Sequence, residues 1–218
     1  MEDFRFKNEE EECMNLINDK ARLDVEVTGE HYLLSSGLHT GVFFPLAKVF
    51  EYGPVRERLG RLLLRKMKAG GIDPREIDVL LGPAYGALPV MYTLQHFSDL
   101  EHTRVIHVEK DNDGEYVLGR CYTLHPDERV FVIDDVVTTF GTVKKTITAL
   151  HRACGKEDGW DAKIIGIGVL LDRTAENRQP PEIFAPTLKY VYALRSPLEA
   201  YKPKECSYCK QGIKLVKI

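Results

Sequence analysis

Residues 130–142, VFVIDDVVTTFGT, restrict the possible folds more than any other stretch. Four apolar residues run directly into two adjacent carboxylates and then into a threonine-glycine turn. The apolar run is β-branched and aromatic, too short for a helix, and lacks polar alternation. It therefore reads as a strand buried on both faces of a parallel sheet, and such sheets bind ligands beyond the C-terminal ends of their strands. Thr138, Thr139, Gly141 and Thr142 offer hydroxyls and backbone N–H groups at the start of a helix predicted over 143–153. There the unpaired amides and the helix dipole favour an anion such as a phosphate. Asp134 and Asp135 lie about a turn upstream; carboxylates accept hydrogen bonds from vicinal diols and can hold a hydrated Mg2+. Acid pair and loop together describe a sugar-phosphate site. The competing reading is an ordinary strand-to-helix turn, with one aspartate capping the helix and the threonines filling the loop.

The remaining punctuation spells out alternating strands and helices. An N-terminal helix is expected over 7–20, and short strands at 31–34 and 43–44 flank a turn over 35–41. Gly53-Pro54 starts an amphipathic helix with Leu59, Leu62, Leu63 and Met67 at three- and four-residue spacing, ending near Gly70-Gly71. A strand over 77–81 enters the turn GPAYG, followed by a helix over 87–96. Strands are then expected over 104–109, 129–133, 163–171 and 189–193, with a polar, hairpin-like excursion reaching Thr123. Strands alternating with helices predict an α/β fold with a mostly parallel central sheet flanked by helices. In the turn after the strand over 77–81, glycines permit close approach of backbone N–H groups to an anion, here a diphosphate. Tyr85 and Gly86 belong to that turn.

Composition narrows the function. A net charge of −3 with both signs dispersed leaves no basic footprint for nucleic acid. No apolar stretch approaches the roughly 20 residues that span a bilayer, and the opening MEDFRFKNEEEEC is acidic, unlike a secretory signal. A cytoplasmic protein without membrane or nucleic-acid partners is expected. Cysteines at positions 13, 121, 154, 206 and 209 are scattered and odd in number, against a disulfide framework. Cys206 and Cys209 form one C-x-x-C; a zinc site needs two more ligands, and the sequence has no second C-x-x-C or paired histidines.

The acid-pair signature resembles that of type I phosphoribosyltransferases. Over nearly the whole chain, YLLSSGLHTGVFF, AKVFEYGP, LLGPAYGALP, HVEKDNDGEYVLGR, VFVIDDVVTTFGT, GIGVLLDRT and YKPKECSYCKQGI resemble, in order, an orotate phosphoribosyltransferase. The resemblance implies a single domain over 1–218, with a helix and hood over about 1–50, a core over about 51–195 and a tail over 196–218. It implies 5-phosphoribosyl 1-diphosphate and orotate as substrates, Mg2+ held mainly through the substrate diphosphate with Asp134 or Asp135 reaching it through water, and a homodimer. Asp134 and Asp135 would grip the ribose hydroxyls and the threonine loop the 5-phosphate. Phe43 and Phe44 would lie by the pyrimidine, and Arg173 would face the orotate carboxylate, which a planar guanidinium binds bidentately. Residues 107–118 would form a mobile loop covering the site, with Lys110 meeting the leaving diphosphate. Two alternatives stand beside this: a related transferase acting on another base, and a non-catalytic sugar-phosphate sensor.

Three departures bear on that reading. Phe140 stands where the family has glycine; if the position needs positive φ, a phenyl side chain is disfavoured there, unless the ring points outward and leaves the loop intact. Gly41-Val42 replaces residues that are more often polar or charged. Glu109, Asp111, Asp113 and Glu115 surround the single Lys110, a surplus of acid that opposes a diphosphate.

Overall fold

The computed structural model describes residues 2–34, 37–154, 163–175, 188–197 and 199–217. Ser35 and Ser36 of the expected turn lie outside them. The chain opens with α1 (Glu2–Ala21), β1 (Leu23–Asp24), α2 (Val25–Thr28), β2 (Glu30–Leu33), β3 (His39–Thr40), β4 (Val42–Phe43) and α3 (Leu46–Phe50). It continues through α4 (Gly53–Ala69), a single 3-10 turn at Pro74–Glu76, β5 (Val79–Pro83), α5 (Ala87–Gln95), β6 (Arg104–Lys110) and β7 (Tyr116–Leu118). β8 (Arg129–Val137), α6 (Gly141–Ala153), β9 (Lys163–Asp172), β10 (Lys189–Arg195), α7 (Ser207–Lys210) and β11 (Lys214–Lys217) complete it.

Six strands form the central sheet in the order β10-β9-β8-β5-β6-β7. All neighbours are parallel except β7, which returns antiparallel along β6. This is the α/β architecture with a mostly parallel sheet expected from the alternation of elements. From β5 the chain winds outward to β6, and from β8 it winds the other way to β9. The strand order therefore reverses between β5 and β8, the position at which open α/β sheets leave a ligand crevice. The turn after β5 and the acid-pair loop at the end of β8 both open into it.

Burial explains the layers. On α4, Leu59, Leu62, Leu63 and Met67 are fully buried and join α1, α5 and one sheet face in the largest apolar cluster. On α6, Ala149 and Leu150 fill one cluster on the opposite face, while Val143 and Ile147 fill another with Val132, Ile167 and Val169. Strand β8 runs farther than the apolar tetrad indicates. Pairing with β9 continues past Asp134 opposite Val169 to Val137 opposite Asp172, so the ladder carries the polar acid pair in extended conformation. Residues 107–118 are a hydrogen-bonded hairpin on the sheet edge, with Val108, Glu109 and Lys110 opposite Leu118, Val117 and Tyr116. No helix among the described residues is long and apolar enough to cross a membrane.

The N-terminal hood is built with help from the far end of the chain. β11 pairs in parallel with β2, which pairs antiparallel with β3. The expected tail thus closes a small sheet of its own.

Candidate active site

Asp134 and Asp135 sit at the crevice floor, held by their own backbone. The Asp135 N–H donates to Asp134 Oδ1 at 3.0 Å and the Val136 N–H donates to Asp135 Oδ1 at 2.9 Å. Burial, and then the neighbouring charge of Asp135, keeps the Asp134 carboxyl well above the ordinary carboxylate range. Burial also raises Asp135. Two adjacent carboxylates with no cationic side chain within ion-pair distance among the described residues are poorly solvated as they stand. Hydroxyl donors or a hydrated cation would relieve them.

The turn after β5 meets this pair directly. A Cβ placed on Gly86 would lie 2.8 Å from the Asp135 carboxyl, so any side chain there would displace it. Gly86 is therefore a steric requirement of the acid pair as well as part of the turn. Tyr85, its predicted companion, is 86 % exposed and is not among the residues that line the cavity above the acid pair.

Thr138, Thr139, Gly141 and Thr142 come together as sequence reasoning expects. They line a cavity of about 250 Å3 with Asp134, Lys110, Tyr116, Phe140 and Lys145. Phe140 occupies the left-handed region at φ 61° and ψ 8°. Its ring does not point outward: it is 2 % exposed, sits edge-on to Tyr190 at 5.3 Å, and joins the apolar cluster beneath α6. The benzyl group turns down into the core because Val132, Val137, Val143 and Ile147 leave an apolar seat there. The loop keeps the left-handed turn a glycine would adopt, and the cavity above it stays open.

Lys110, at the end of β6, reaches the cavity from the hairpin, with its ammonium 5.9 Å from the Tyr116 ring centroid. Lys145 approaches the same ring from α6 at 5.8 Å. Sequence reasoning missed Lys145 and Tyr116. The available signal was weak: Lys145 stands one turn into the helix that follows the loop, which places it on the loop side. The acidic surplus of the hairpin is partly consumed locally, since Asp111 Oδ1 accepts the N–H groups of Asp113 and Glu115, while Glu115 pairs with Arg152 at 3.5 Å. Two lysines, rather than one, thus face the cavity.

A second cavity, of about 490 Å3, opens beside the end of β9 and is lined by Phe44, Arg173, Arg22, Arg195, Glu199 and Tyr208 among others. Arg173 follows β9 and is only 4 % exposed. Its Nη1 donates to the Val42 carbonyl at 2.9 Å, and its guanidinium lies 4.9 Å from the Phe44 ring centroid. Burial, with repulsion from Arg22, pulls its pKa down to about 10. No carboxylate pairs with Arg173 among the described residues, whereas Arg22 and Arg195 are matched by Asp24 and Asp172. Phe44 therefore joins Arg173 as expected. Phe43 does not line this cavity; its ring lies 5.9 Å from Tyr32, on the hood side. At Gly41 the Tyr208 ring lies close over the backbone: a Cβ there would fall 2.6 Å from the Tyr208 hydroxyl, so a larger residue would press that ring aside.

An acid pair at the switch point, a threonine-lined helix start and a glycine turn against the acid pair define a phosphoribosyltransferase. The phosphoribosyl transferase domain family matches residues 53–187. The chain belongs to the orotate phosphoribosyltransferase family: it is 34 % identical to the orotate phosphoribosyltransferase of Caldanaerobacter subterraneus subsp. tengcongensis over 86 % of this chain and 87 % of that one. Among solved structures, the orotate phosphoribosyltransferase of Aeropyrum pernix superposes with a TM-score of 0.60 at 21 % identity, covering 84 % and 93 % of the two chains. That of Mycobacterium tuberculosis in complex with 5-phospho-alpha-D-ribosyl 1-diphosphate superposes at 0.56 with 22 % identity, covering 86 % and 96 %.

Proposed function

We propose that this enzyme transfers ribose 5-phosphate from 5-phosphoribosyl 1-diphosphate to orotate, releasing diphosphate and orotidine 5'-phosphate in pyrimidine nucleotide synthesis. The observation that carries the reading is the meeting of Gly86 with Asp135 at the floor of a crevice whose wall is the threonine loop. The 5-phosphate is received by Thr138, Thr139, Gly141 and Thr142, and the ribose hydroxyls donate to Asp134 and Asp135. As the C1–O bond to diphosphate loosens, an oxocarbenium-like ribose forms beside these carboxylates, and a pyrimidine nitrogen attacks from the opposite face. The protein supplies position and charge, with no covalent nucleophile.

The hard oxygens of the acid pair fit Mg2+; Asp134 or Asp135 would hold it through water, and when bound it neutralises the diphosphate. Lys110 acts on the same charge. Truncating it should lower kcat about ten- to a hundredfold, with a smaller change in the affinity for 5-phosphoribosyl 1-diphosphate, since charge accumulates on the leaving oxygen only as the bond breaks. Steady-state kinetics beside calorimetric binding would separate the two. An unchanged kcat removes Lys110 from the reaction and shifts the burden to Lys145.

Base choice falls to Arg173, a buried cation that lacks a carboxylate. The orotate carboxylate completes it, and uracil does not. Arg173→Ala should raise KM for orotate at least about tenfold, the scale of one charge-assisted hydrogen bond, while sparing 5-phosphoribosyl 1-diphosphate binding. Diphosphate release measured with orotate, uracil, hypoxanthine and adenine tests the whole reading. Turnover only with a purine would favour a transferase of another base, and binding without turnover on any base would favour a sensor. The protein works as a cytoplasmic homodimer in this reading, with the hairpin of β6 and β7 covering the site.

A further inference from the structure

The fold gathers a second set of chemistry-bearing side chains away from the crevice, where β2, β3 and α7 meet. His31 of β2, His39 of β3, and Cys206 and Cys209 at the start of α7 bring one ligand atom each to within 4.8 Å of one another. The cysteines supply the half-site read in the sequence. The histidines missing from that reading are eight residues apart along the chain, but antiparallel pairing sets Leu33 opposite His39 and so brings His31 and His39 onto neighbouring strands, with their rings 5.4 Å apart.

The geometry points to a structural zinc site with ligands His31, His39, Cys206 and Cys209. Two thiolates and two imidazoles form the tetrahedral S2N2 set that selects zinc over Mg2+ or Ca2+, and they cancel the charge of a divalent ion in a buried place. Cys209 Sγ lies 3.3 Å from His31 Nε2 and 3.3 Å from His39 Nδ1. In a tetrahedral zinc site with bonds of about 2.0–2.3 Å, ligand atoms sit roughly 3.3–3.8 Å apart. The orientation of His31 is set from outside: its Nδ1 lies 3.1 Å from the Lys214 carbonyl, a partner that fixes the tautomer leaving Nε2 for the metal. His31, His39 and Cys206 are buried, while Cys209 is exposed and gives the ion a way in.

Such an ion would clamp the C-terminal segment onto the hood. Tyr208, between the two cysteines, packs on Gly41 and lines the cavity of Arg173. The clamp would therefore also hold one wall of that cavity.

Protein without an affinity tag, purified in the absence of chelator and dialysed, should carry about one zinc per chain by mass spectrometry of the elements. Exchange into Co2+ should give the intense visible bands of a tetrahedral thiolate complex together with thiolate-to-cobalt charge transfer. Cys206→Ser and Cys209→Ser should each lose stoichiometric metal, and removing zinc from the unmodified chain should lower Tm by at least about 5 °C. A chain purified metal-free that takes up Co2+ without thiolate charge transfer overturns the proposal, as does a Cys209→Ser variant that retains zinc in full. A Cys206–Cys209 disulfide found by mass in the freshly purified protein also overturns it. None of these readouts depends on transferase activity.

Discussion

Replacing Asp134 with asparagine should reduce kcat/KM about a hundred- to a thousandfold while making the folded protein more stable at neutral pH. The activity loss follows from position. Asp134 lies in the crevice lining, and its carboxylate can both accept ribose hydroxyls and face positive charge developing at C1, an interaction of about 3–4 kcal/mol by comparison with preorganised groups of this kind. The gain in stability follows from the cause of its pKa shift. Burial and then Asp135 hold the folded-state pKa well above the ordinary value, so the folded chain keeps a proton that the unfolded chain has already lost. Stability therefore falls as pH rises from about 4, the unfolded value, through the raised folded value. Asparagine removes that loss and keeps an oxygen for the Asp135 N–H. The variant should match the wild type near pH 4 and exceed it increasingly as pH rises through the window. Paired activity assays and thermal melts over that range decide the matter. A variant less stable than the wild type at pH 7 would mean that the buried carboxylate is already satisfied within the protein, and a variant with unchanged kcat/KM would remove Asp134 from the reaction.

How far the sequence revealed this site depends on how local each signal is. The acid pair, the threonine loop and the helix behind them lie within one strand-turn-helix unit, so spacing alone brings Asp134, Thr138, Thr139, Gly141 and Thr142 to one cavity, with Asp135 next to it in sequence. Gly86 was legible as a turn residue; its contact with Asp135 requires β5 and β8 to be neighbours, which no local pattern states. Lys145 and Tyr116 were missed because they meet across α6 and the hairpin, and the separation of Phe43 from the cavity that Phe44 lines depends on the path of the chain at the end of β4, which no spacing states. The tail illustrates the limit most clearly. β11 is four residues with a lysine at each end and no alternation, and its pairing with β2 near the other end of the chain makes it a strand. That same long-range pairing places α7 beside the two histidines.

Phe140 shows how a bulky residue in a left-handed turn can be absorbed by packing, and its removal should cost stability whichever small residue takes its place. A non-glycine residue in the left-handed region costs about 1–2 kcal/mol, which Phe140→Gly would recover. Against this stands a buried phenyl ring in contact with Tyr190 and the cluster under α6, whose deletion costs about 3–5 kcal/mol. The ring wins, and Phe140→Gly should lose about 1–4 kcal/mol in urea unfolding, the difference between those two ranges. Phe140→Ala deletes the same ring but keeps the dihedral strain, so it should be less stable than the glycine variant by about 1 kcal/mol, the reverse of the order of alanine and glycine in a helix interior. Because both variants lose the same ring, the difference between them isolates the backbone conformation at the start of α6 from the loss of packing. If alanine proved the more stable of the two, position 140 would have left the left-handed turn.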